Sequence, residues 1–411
     1  MYIADFHIHS KYSRATSPSM DIEKCAQWSR IKGIDLLGTG DITHPLWRKK
    51  LQKALLPTDR KGIYSYRNTD FILTGEVSSI YHKNGALRKI HIILFFSSFE
   101  RAENFSAAVA KYGDLMSDGR PILSLDAKKV ATMVRQNDPE GFIVPAHIWT
   151  PHFSLFGAHS GFDRIEDCFE EETAFIPALE TGLSSDPPMN RRLSSLDKFT
   201  LISNSDAHSP QKLAREANIF SSSFSIGELY RILKDQDTRR FLSTVEYFPE
   251  EGKYHLDGHR NCNARSTPEE TIANRYLCPV CKKRVTVGVM HRITLLADRP
   301  PNAISSMPFH HIVPLDQILS SVLEKNPASQ TVQNHYNHAI ETLGPELTIL
   351  LTTPPEKIFS ALSEPIASAI VKMREGKILV EPGYDGKFGT ITISPTHDEA
   401  QNETTQQQSL F

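Results

Sequence analysis

The stretch ADFHIHS at residues 4–10 places two histidines, His7 and His9, at the end of a predicted strand. Side chains at positions i and i+2 of a strand point to the same face, so this pair can bind one metal ion together. The stretch ISNSDAHS at residues 202–209 repeats the arrangement with Asp206 and His208. Because the two pairs are far apart in the chain, they can meet only if the sheet that carries them closes on itself.

Further candidate ligands occur at or near the ends of the predicted strands between these two pairs. The full set of nine is His7, His9, Asp41, His44, Glu76, His91, His147, Asp206 and His208. The apolar segments predict strands over residues 2–9, 34–41, 70–80, 89–96, 141–147, 175–182 and 201–208. Helical stretches, such as residues 21–32 and 106–116, separate most of them. This alternation is typical of parallel sheets and predicts an α/β barrel with its active site at the carboxyl ends of the strands.

The chemistry of the nine side chains limits the metals and the reaction. A single histidine at a strand end more often has a structural role, and it is the recurrence of ligands that favours metal binding. Imidazole suits zinc, iron and manganese, whereas carboxylates also bind magnesium. The set exceeds what one ion can use and predicts two or three divalent cations (Zn, Mn or Mg), which indicates hydrolysis of a phosphate ester. The candidate catalytic residues are Asp206, His147 and His208.

A second group of possible metal ligands lies in the latter half of the chain. The motifs HRNC at residues 259–262 and CPVC at residues 278–281 supply His259, Cys262, Cys278 and Cys281. Two such knuckles predict one structural zinc ion with four ligands. His255 and His291 are alternatives to His259 as the fourth ligand. A redox motif or a disulfide is less favoured, because five cysteines and no signal peptide indicate a reducing cytoplasm.

The ligand motifs in the first half of the chain resemble those of the PHP (polymerase and histidinol phosphatase) superfamily, and the resemblance covers residues 1–225. The residues that carry the resemblance are His7, His9, Asp41, Glu76, His147, Asp206 and His208. The resemblance implies a distorted (β/α)7 barrel with up to three metal ions. One departure lies in the second motif, where many members have Thr-Asp-His but this chain has GDITH, which moves the histidine to position 44.

Longer phrases resemble one branch of the superfamily, the endonuclease Q family. These phrases are TGDITHP at residues 39–45, PAHIWTP at 145–151, FSLFG at 153–157 and ETGLSSDP at 180–187. The resemblance implies a DNA-repair nuclease that cuts on the 5′ side of deaminated bases (uracil, hypoxanthine, xanthine) and at abasic sites. Inspection of one base in a duplex would require that base to flip into a pocket beside the metals.

Two loops near the predicted ligands could contact a flipped base. The candidate substrate-binding residues in them are Ser78, Ser79, Tyr81, Glu180, Ser184, Ser185 and Asp186. The same side chains could equally cap loops.

Charge and domain organisation do not by themselves identify a DNA-binding protein. The formal net charge of the 411 residues is −2, so the chain has no overall basic character. Residues 251–300 nevertheless contain nine Lys or Arg against five Asp or Glu, and residues 47–53 form a basic run with a tryptophan.

No apolar stretch approaches the ~20 residues of a membrane span, and we expect a cytoplasmic, nucleoid-associated protein. The predicted domains are the barrel (1–225), a zinc-binding module (226–300), a mainly helical lobe (301–394) and a disordered tail (395–411).

The C-terminal lobe and the tail each have a pattern of their own. Apolar spacing predicts amphipathic helices over residues 315–325, 331–343 and 355–374, followed by a turn between two short strands at residues 383–386. In the polar tail, Gln407, Leu410 and Phe411 resemble the peptide by which bacterial proteins bind the replicative sliding clamp, which would make the source bacterial.

Two other functions remain open at this point. A small-molecule phosphoesterase of the histidinol-phosphatase type would need only the barrel, and it leaves the zinc module and the tail without a purpose. A non-catalytic scaffold that binds damaged DNA is disfavoured because every expected metal position is filled.

Overall fold

The computed structural model describes residues 1–301 and 307–393. The tail at 395–411, with the predicted clamp-binding residues Gln407, Leu410 and Phe411, lies outside the described residues. Among the described residues, no helix is both long enough and apolar enough to cross a lipid bilayer.

The chain folds into a mixed α/β structure around a central sheet. The strands, in chain order, are β1 (Tyr2–Asp5), β2 (Leu36–Gly38), β3 (Leu56–Pro57), β4 (Ile63–Tyr66), β5 (Thr69–Lys83), β6 (Ala86–Phe96), β7 (Ile122–Leu123), β8 (Phe142–Pro145), β9 (Ala178–Glu180), β10 (Thr200–Ile202), β11 (Ala217–Phe220), β12 (Phe241–Glu246), β13 (Asp257–His259), β14 (Ala264–Ser266), β15 (Phe309–His311), β16 (Leu379–Glu381) and β17 (Thr390–Thr392). The α-helices are α1 (Ile22–Lys32), α2 (Pro45–Ala54), α3 (Phe99–Val109), α4 (Ala127–Asn137), α5 (Ile165–Phe169), α6 (Pro187–Asn190), α7 (Ile226–Lys234), α8 (Pro268–Ala273), α9 (Val289–Leu296), α10 (Leu315–Leu323), α11 (Gln330–Leu343), α12 (Glu346–Leu351), α13 (Pro355–Ala361) and α14 (Glu364–Arg374).

The central sheet combines parallel and antiparallel pairs. Strand β1 pairs in parallel with β2, and β2 pairs in parallel with β5. On the other side of β1, strand β11 is antiparallel to β1 and to β12, and β15 runs parallel to β12. Strands β5, β6 and β8 follow one another through antiparallel pairings, while β9 and β10 form a separate parallel pair.

Contacts just beyond β1 and β10 bring the two predicted ligand pairs side by side. Ile8 forms a parallel bridge with Ala207, and the backbone N–H of His9 donates to the carbonyl of Ala207 over 3.0 Å. The side chains alternate here as expected for a strand: the Phe6 ring packs edge-on against Phe95 at 5.6 Å, whereas the neighbouring histidine points to the opposite side. The sequence requirement that the first and last strands of the series meet is therefore fulfilled.

The direction of β6 differs from the parallel pattern that the sequence predicted. Strand β6 follows β5 through the two-residue turn Asn84-Gly85, whose φ angles are 53° and 73°, and Asn-Gly favours such tight hairpins. With no helix between them, the two strands must be antiparallel. The reversal pairs the two strands so that His91 lies opposite Ser78 of β5. His91 thereby reaches the site from the middle of its strand and not from its end.

Several predicted helices are confirmed, and two have different bounds. Helices α1, α10 and α11 match the predictions at 21–32, 315–325 and 331–343. Helix α3 starts earlier than predicted because Ser98 caps it, accepting a hydrogen bond from the backbone N–H of Arg101 at 3.2 Å. The helix predicted at 355–374 is two helices, α13 and α14. Pro365 lacks an N–H and is accommodated in the first turn of α14.

A buried ion pair joins the C-terminal helices to α1. The Lys32 ammonium lies 2.5 Å from a carboxylate oxygen of Glu346, and both side chains are only 3% exposed. The same carboxylate accepts a hydrogen bond from the hydroxyl of Tyr336 at 2.5 Å and one from the backbone N–H of Leu315 at 3.1 Å. Loss of the carboxylate would leave a buried ammonium without a countercharge.

We therefore expect Glu346→Leu to lower the free energy of unfolding by about 3–5 kcal/mol, the usual cost of breaking a buried ion pair. Urea denaturation followed by circular dichroism measures the change. The control is Lys61→Met, which removes an exposed pair with Glu140 and should cost at most about 1 kcal/mol. Equal effects of the two substitutions would contradict the assigned role of Glu346.

Candidate metal centre

Seven of the nine predicted ligands come together in one cluster. Their ligand atoms form three overlapping groups, and within each group all atoms lie within 4.8 Å of one another: His7, His9 and Glu76; His9, Asp206 and His208; Glu76, His91 and His147. Since two groups share Glu76 and two share His9, the cluster is continuous. Its extent suits more than one cation.

Glu76 lies at the centre of this cluster. One of its carboxylate oxygens is 3.4 Å from Nε2 of His7 and 3.3 Å from Nε2 of His9. The other oxygen is 2.7 Å from Nδ1 of His91 and 3.2 Å from Nε2 of His147. The carboxylate is fully buried, so its two oxygens face two separate pairs of imidazoles.

Three atoms that face each other in the cluster have no hydrogen-bond partner among the described residues. They are Nε2 of His7, Nε2 of His9 and Oδ1 of Asp206, all buried. The Asp206 oxygen is 3.1 Å from the His9 nitrogen, but the two groups are not aligned as in a hydrogen bond. Burying polar atoms without partners is costly, and convergent imidazole nitrogens and carboxylate oxygens are the donor set of a divalent cation. The residues therefore fit a metal centre.

Two further carboxylates hold the outer nitrogens of the first histidine pair. Oδ1 of Asp41 lies 3.1 Å from Nδ1 of His9, and the carboxylate of Glu180 lies 3.1 Å from Nδ1 of His7. A carboxylate that accepts a hydrogen bond from Nδ1–H keeps the proton on Nδ1. The lone pair of Nε2 is then free for a metal, and the plane of the ring is fixed. Asp41, predicted as a ligand, is absent from the three ligand groups, and its geometry is that of a positioning residue.

Glu180 was predicted to contact substrate, and the structure does not favour that role. Its side chain is fully buried. Besides holding His7, it accepts hydrogen bonds from the backbone N–H of His147 at 2.7 Å and from the amide of Asn204 at 2.8 Å. With its oxygens engaged by three protein groups, Glu180 supports the ligands from behind.

His44 is not brought into the cluster. Its Nδ1 accepts a hydrogen bond from the backbone N–H of Trp47 at 3.4 Å and so caps α2, and its Nε2 lies 3.3 Å from the carbonyl of Met116. Both ring nitrogens are thus used within the protein, and this geometry favours a helix-capping role over metal binding. The insertion that displaces this histidine from Asp41 in the GDITH motif places it at the start of the helix.

Of the remaining predicted substrate residues, Ser78, Ser79 and Tyr81 lie within strand β5 and not in a loop as predicted, and the others lie in the loop before α6. Those that are buried are Ser78, Ser79, Tyr81, Ser185 and Asp186. Asp186 caps α6 by accepting from the backbone N–H of Met189 at 2.9 Å, and the Ser185 hydroxyl donates to the carbonyl of Thr181 at 2.9 Å. Ser184 is half-buried. The loop-capping alternative therefore has direct support for two of these residues.

Three site residues adopt left-handed backbone conformations at the ends of strands. Asp41, His147 and Asp206 have φ angles of 46°, 28° and 47°, which non-glycine residues rarely adopt. Gly182 packs against one of them, since a Cβ on it would lie 2.4 Å from Cβ of His147. These turns redirect the side chains from the strand direction into the cluster.

The cluster is strongly polarised. Burial by itself lowers the pKa of His7, yet the neighbouring carboxylates, Glu180 foremost, raise that pKa well above its usual value. Burial by itself raises the pKa of Glu76, but the imidazoles of His91 and His7 lower that pKa well below its usual value. Burial lowers the pKa of His91 to about 4, which keeps its imidazole neutral. The carboxylates therefore stay ionised and attract cations.

Two residues that contact the cluster or its supporting carboxylates were missed at the level of sequence. Nη1 of Arg120 lies 3.3 Å from Glu76, and no motif surrounds Arg120 to mark it. Asn204 accepts from the backbone N–H of Phe6 at 2.8 Å while it donates to Glu180. Its place two residues before Asp206 was the available signal.

The second group of ligands also assembles. The ligand atoms of His259, Cys262, Cys278 and Cys281 all lie within 4.8 Å of one another. Asn263 and Lys282, which follow the last cysteine of each knuckle, have φ angles of 51° and 61°. The backbone N–H groups of Cys281 and Val280 lower the pKa of Cys278 to about 6, which favours the thiolate that zinc binds. The alternative ligand His291 instead contacts Asp257 at 2.6 Å, and His255 lies outside the group.

The whole chain is similar to a solved structure, the lesion-specific endonuclease PfuEndoQ from Pyrococcus furiosus. The two share 33% sequence identity with a TM-score of 0.85, and the similarity covers 95% of each chain. The chain belongs to the endonuclease Q family. A second endonuclease Q structure, a complex with a 27-mer duplex substrate that has an abasic lesion at the active site, has a TM-score of 0.83 at 33% identity and covers 95% of this chain and 96% of that chain.

The chain is also similar to two uncharacterized curated proteins. YqxK of Bacillus subtilis is 29% identical over 409 residues, which cover 94% of this chain and 98% of YqxK. MJ0043 of Methanocaldococcus jannaschii is 29% identical over 253 residues, 60% of this chain but only 31% of MJ0043. The family model of the MJ0043 C-terminal domain matches residues 314–377, the segment of helices α10 to α14. The resemblance seen in the sequence is confirmed, and family membership makes this chain an endonuclease.

Asp41→Asn should weaken metal binding about 10–100-fold, the usual effect of losing a carboxylate behind a histidine ligand. The Asp41 carboxylate also accepts hydrogen bonds from the backbone N–H and the hydroxyl of Ser10 and from the hydroxyl of Ser13, so an amide cannot satisfy all its neighbours. Titration calorimetry of Mn²⁺ into the metal-stripped protein measures the affinity. The control is Asp59→Asn at a 95% exposed carboxylate, and unchanged affinity in Asp41→Asn would contradict the positioning role.

Cys281→Ser should remove one zinc ion per chain and lower the melting temperature, because structural zinc binding contributes directly to folding. Mass spectrometry of bound metals and differential scanning fluorimetry provide the two measurements. Cys25→Ser is the control for zinc content, since Cys25 is a buried thiol outside the cluster. Equal zinc content in both variants would rule out the assigned zinc site.

Proposed function

We propose that this chain is a metal-dependent DNA-repair endonuclease that hydrolyses the phosphodiester on the 5′ side of deaminated bases and abasic sites. The observation that carries the proposal is the continuous ligand cluster around Glu76 in a chain of the endonuclease Q family. The endonuclease Q complex with an abasic lesion at its active site supports a DNA substrate. A deaminated base would reach the cluster by flipping out of the duplex.

The fold proposed for the catalytic part is the distorted (β/α)7 PHP barrel, over residues 1–225. The bridge between Ile8 and Ala207 supports closure of the strands, and the antiparallel β6 accounts for the distortion. A zinc-binding module at 226–300 with one structural zinc ion, and a helical lobe at 301–394, complete the proposed domains. Strands β12 and β15 extend the central sheet across these boundaries. Clamp binding by the tail stays a prediction.

The proposed ligands divide by their exposure. The side chains of His7, His9 and Glu76 are at most 1% exposed, whereas those of Asp206 and His208 are 26% and 31% exposed. The ligands of two or three divalent cations would be His7, His9, Glu76, His91, His147, Asp206 and His208. Such cations activate water and neutralise charge on a phosphate when bound. Asp206 and His208 lie on the accessible side, where they face an incoming phosphodiester.

In the proposed mechanism, the residues around the ligands hold the ligand side chains in fixed positions. Asp41 and Glu180 fix the rings of His9 and His7 and keep Nε2 of each aimed at the cluster. Glu76 joins the two halves. Because these positions are set before substrate arrives, the protein does not have to reorganise polar groups during the reaction, which is the main advantage of a preorganised site.

Asp206→Asn should abolish nicking, because the substitution removes the negative charge of the one carboxylate that is both in the cluster and accessible. The measurement is cleavage of duplexes that contain a single uracil, hypoxanthine or abasic site, with Mg²⁺ or Mn²⁺, resolved on denaturing gels. A thermal melt confirms that the variant is folded, and Asp235→Asn, at an exposed helix end, is the matched control.

The same assay tests the alternatives when a small phosphomonoester is included. Hydrolysis of the phosphomonoester without nicking would favour the small-molecule phosphoesterase. Binding of lesion DNA without cleavage would favour the scaffold. Retained nicking by folded Asp206→Asn would refute the assignment of Asp206.

A further inference from the structure

A short loop between α3 and β7, residues 116–121, is tied to the metal centre along its length. The carbonyl of Met116 lies 3.3 Å from Nε2 of His44. The backbone N–H of Gly119 donates to the carbonyl of Tyr12 at 3.0 Å, and the carbonyl of Pro121 accepts from the backbone N–H of Ser78 at 3.0 Å. Three separate segments that adjoin the centre therefore hold this loop.

Gly119 shows how closely the loop approaches. A Cβ at this position would lie 2.2 Å from Oδ2 of Asp41 and 2.4 Å from Oγ of Ser13. No other residue fits without displacing the carboxylate that holds His9. The loop is thus seated directly on the positioning layer of the site, and the next residue along the chain is Arg120.

The Arg120 guanidinium extends over the cluster. Nη1 lies 3.3 Å from Oε2 of Glu76, and the side chain is 27% exposed. A guanidinium is always protonated in a protein, so the group is positive. Among the described residues, Glu76 is the only hydrogen-bond acceptor of this side chain. A guanidinium has five N–H donors, so most of them remain available on the side that faces solvent.

We propose that Arg120 binds a non-bridging oxygen of the scissile phosphate and stabilises the charge that develops on it. The inference rests on the proposed function, since it names a further residue for the same reaction. Arginine suits this role because its planar fork matches phosphate geometry. Its anchor on Glu76 places the fork beside the ligands to which the phosphate must come.

The reaction defines what Arg120 contributes. A water oxygen bonds to phosphorus and the bond from phosphorus to the 3′ oxygen breaks. One water proton ends on the 3′ oxygen as a hydroxyl, and the other is released from the new 5′ phosphate. Negative charge increases on the non-bridging oxygens between these two events, and a fixed cation at that position lowers the barrier.

A purely structural alternative is that Arg120 only orients Glu76. In that case its loss would reduce metal binding and would affect every substrate equally. If Arg120 contacts the phosphate, its loss leaves the metals in place and changes how strongly the protein distinguishes a charged phosphate from a neutral one.

The test is a thermodynamic double-mutant cycle, in which the arginine side chain and the charge on the scissile phosphate are removed separately and together. Wild type, Arg120→Met and Arg14→Met are each titrated with two abasic duplexes, one with the native scissile phosphate and one with a neutral methylphosphonate there. Binding is measured by fluorescence anisotropy with Ca²⁺, and gels verify that the DNA stays intact. Arg14→Met is the control, because Arg14 is 74% exposed and pairs with Asp118 of the same loop.

For each protein, the loss of affinity caused by the methylphosphonate is compared. We expect this loss to be about tenfold larger for wild type and for Arg14→Met than for Arg120→Met, in the range of a charge-assisted hydrogen bond. Single-turnover nicking by Arg120→Met should fall about 100-fold, with bound metal unchanged by mass spectrometry. Arg120→Lys, which keeps the charge without the fork, should show an intermediate dependence. If Arg120→Met does not fold, the dependence measured for Arg120→Lys tests whether Arg120 contacts the phosphate.

An equal penalty from the methylphosphonate in all variants, or loss of metal from Arg120→Met, would overturn the inference. Failure of the proposed function gives a different result. In that case wild type itself does not nick the native abasic duplex with Mg²⁺ or Mn²⁺.

Discussion

The structure depends on a buried carboxylate between four imidazoles. Glu76 is held 2.7 to 3.4 Å from His7, His9, His91 and His147, with no exposure to solvent. Such a group is tolerated in a protein interior only when hydrogen-bond donors or countercharges surround it. The four imidazoles come from three segments of the chain, after β1, in β6 and after β8, and the fold of the first half of the chain brings these segments together.

The delivery uses two different backbone devices. At the ends of β2, β8 and β10, left-handed residues turn the chain so that a polar side chain leaves the strand direction. In β6 the chain instead reverses direction through Asn84-Gly85, and a residue in the middle of the strand, His91, reaches the same place. The left-handed residues cost local conformational energy, which the contacts of the cluster offset, whereas an Asn-Gly turn adopts positive φ angles at little cost.

Much of this centre could be predicted from the sequence, and there are physical reasons why the geometry favours other roles for some residues. The alternation of strands supplies period-two pairs such as His7 with His9, so direct ligands leave a local pattern. A carboxylate that binds a metal and a carboxylate that hydrogen-bonds to a histidine ligand differ in position by only a few ångströms. Sequence spacing does not distinguish these positions, and for this reason Asp41 and Glu180 were predicted to have other roles. Arg120 comes from a loop with no pattern of its own. The direction of β6, by contrast, was available in the Asn-Gly pair.

The cluster of His259, Cys262, Cys278 and Cys281 and the candidate metal centre are connected through a short series of contacts. Asp257 lies in the same strand as His259 and contacts His291 of α9 at 2.6 Å. The next residue, Arg292, donates to the carbonyl of Phe156 at 3.0 Å, to the carbonyl of Phe162 and to the carboxylate of Asp163. That loop continues directly from the ligand His147, and within it the carbonyl of Phe153 accepts from the backbone N–H of His91. Because a guanidinium fixes three acceptors of one loop, the position of that loop is determined by the helix that bears the arginine. The strand that supplies a zinc ligand therefore also helps to set the loop beside two ligands of the metal centre.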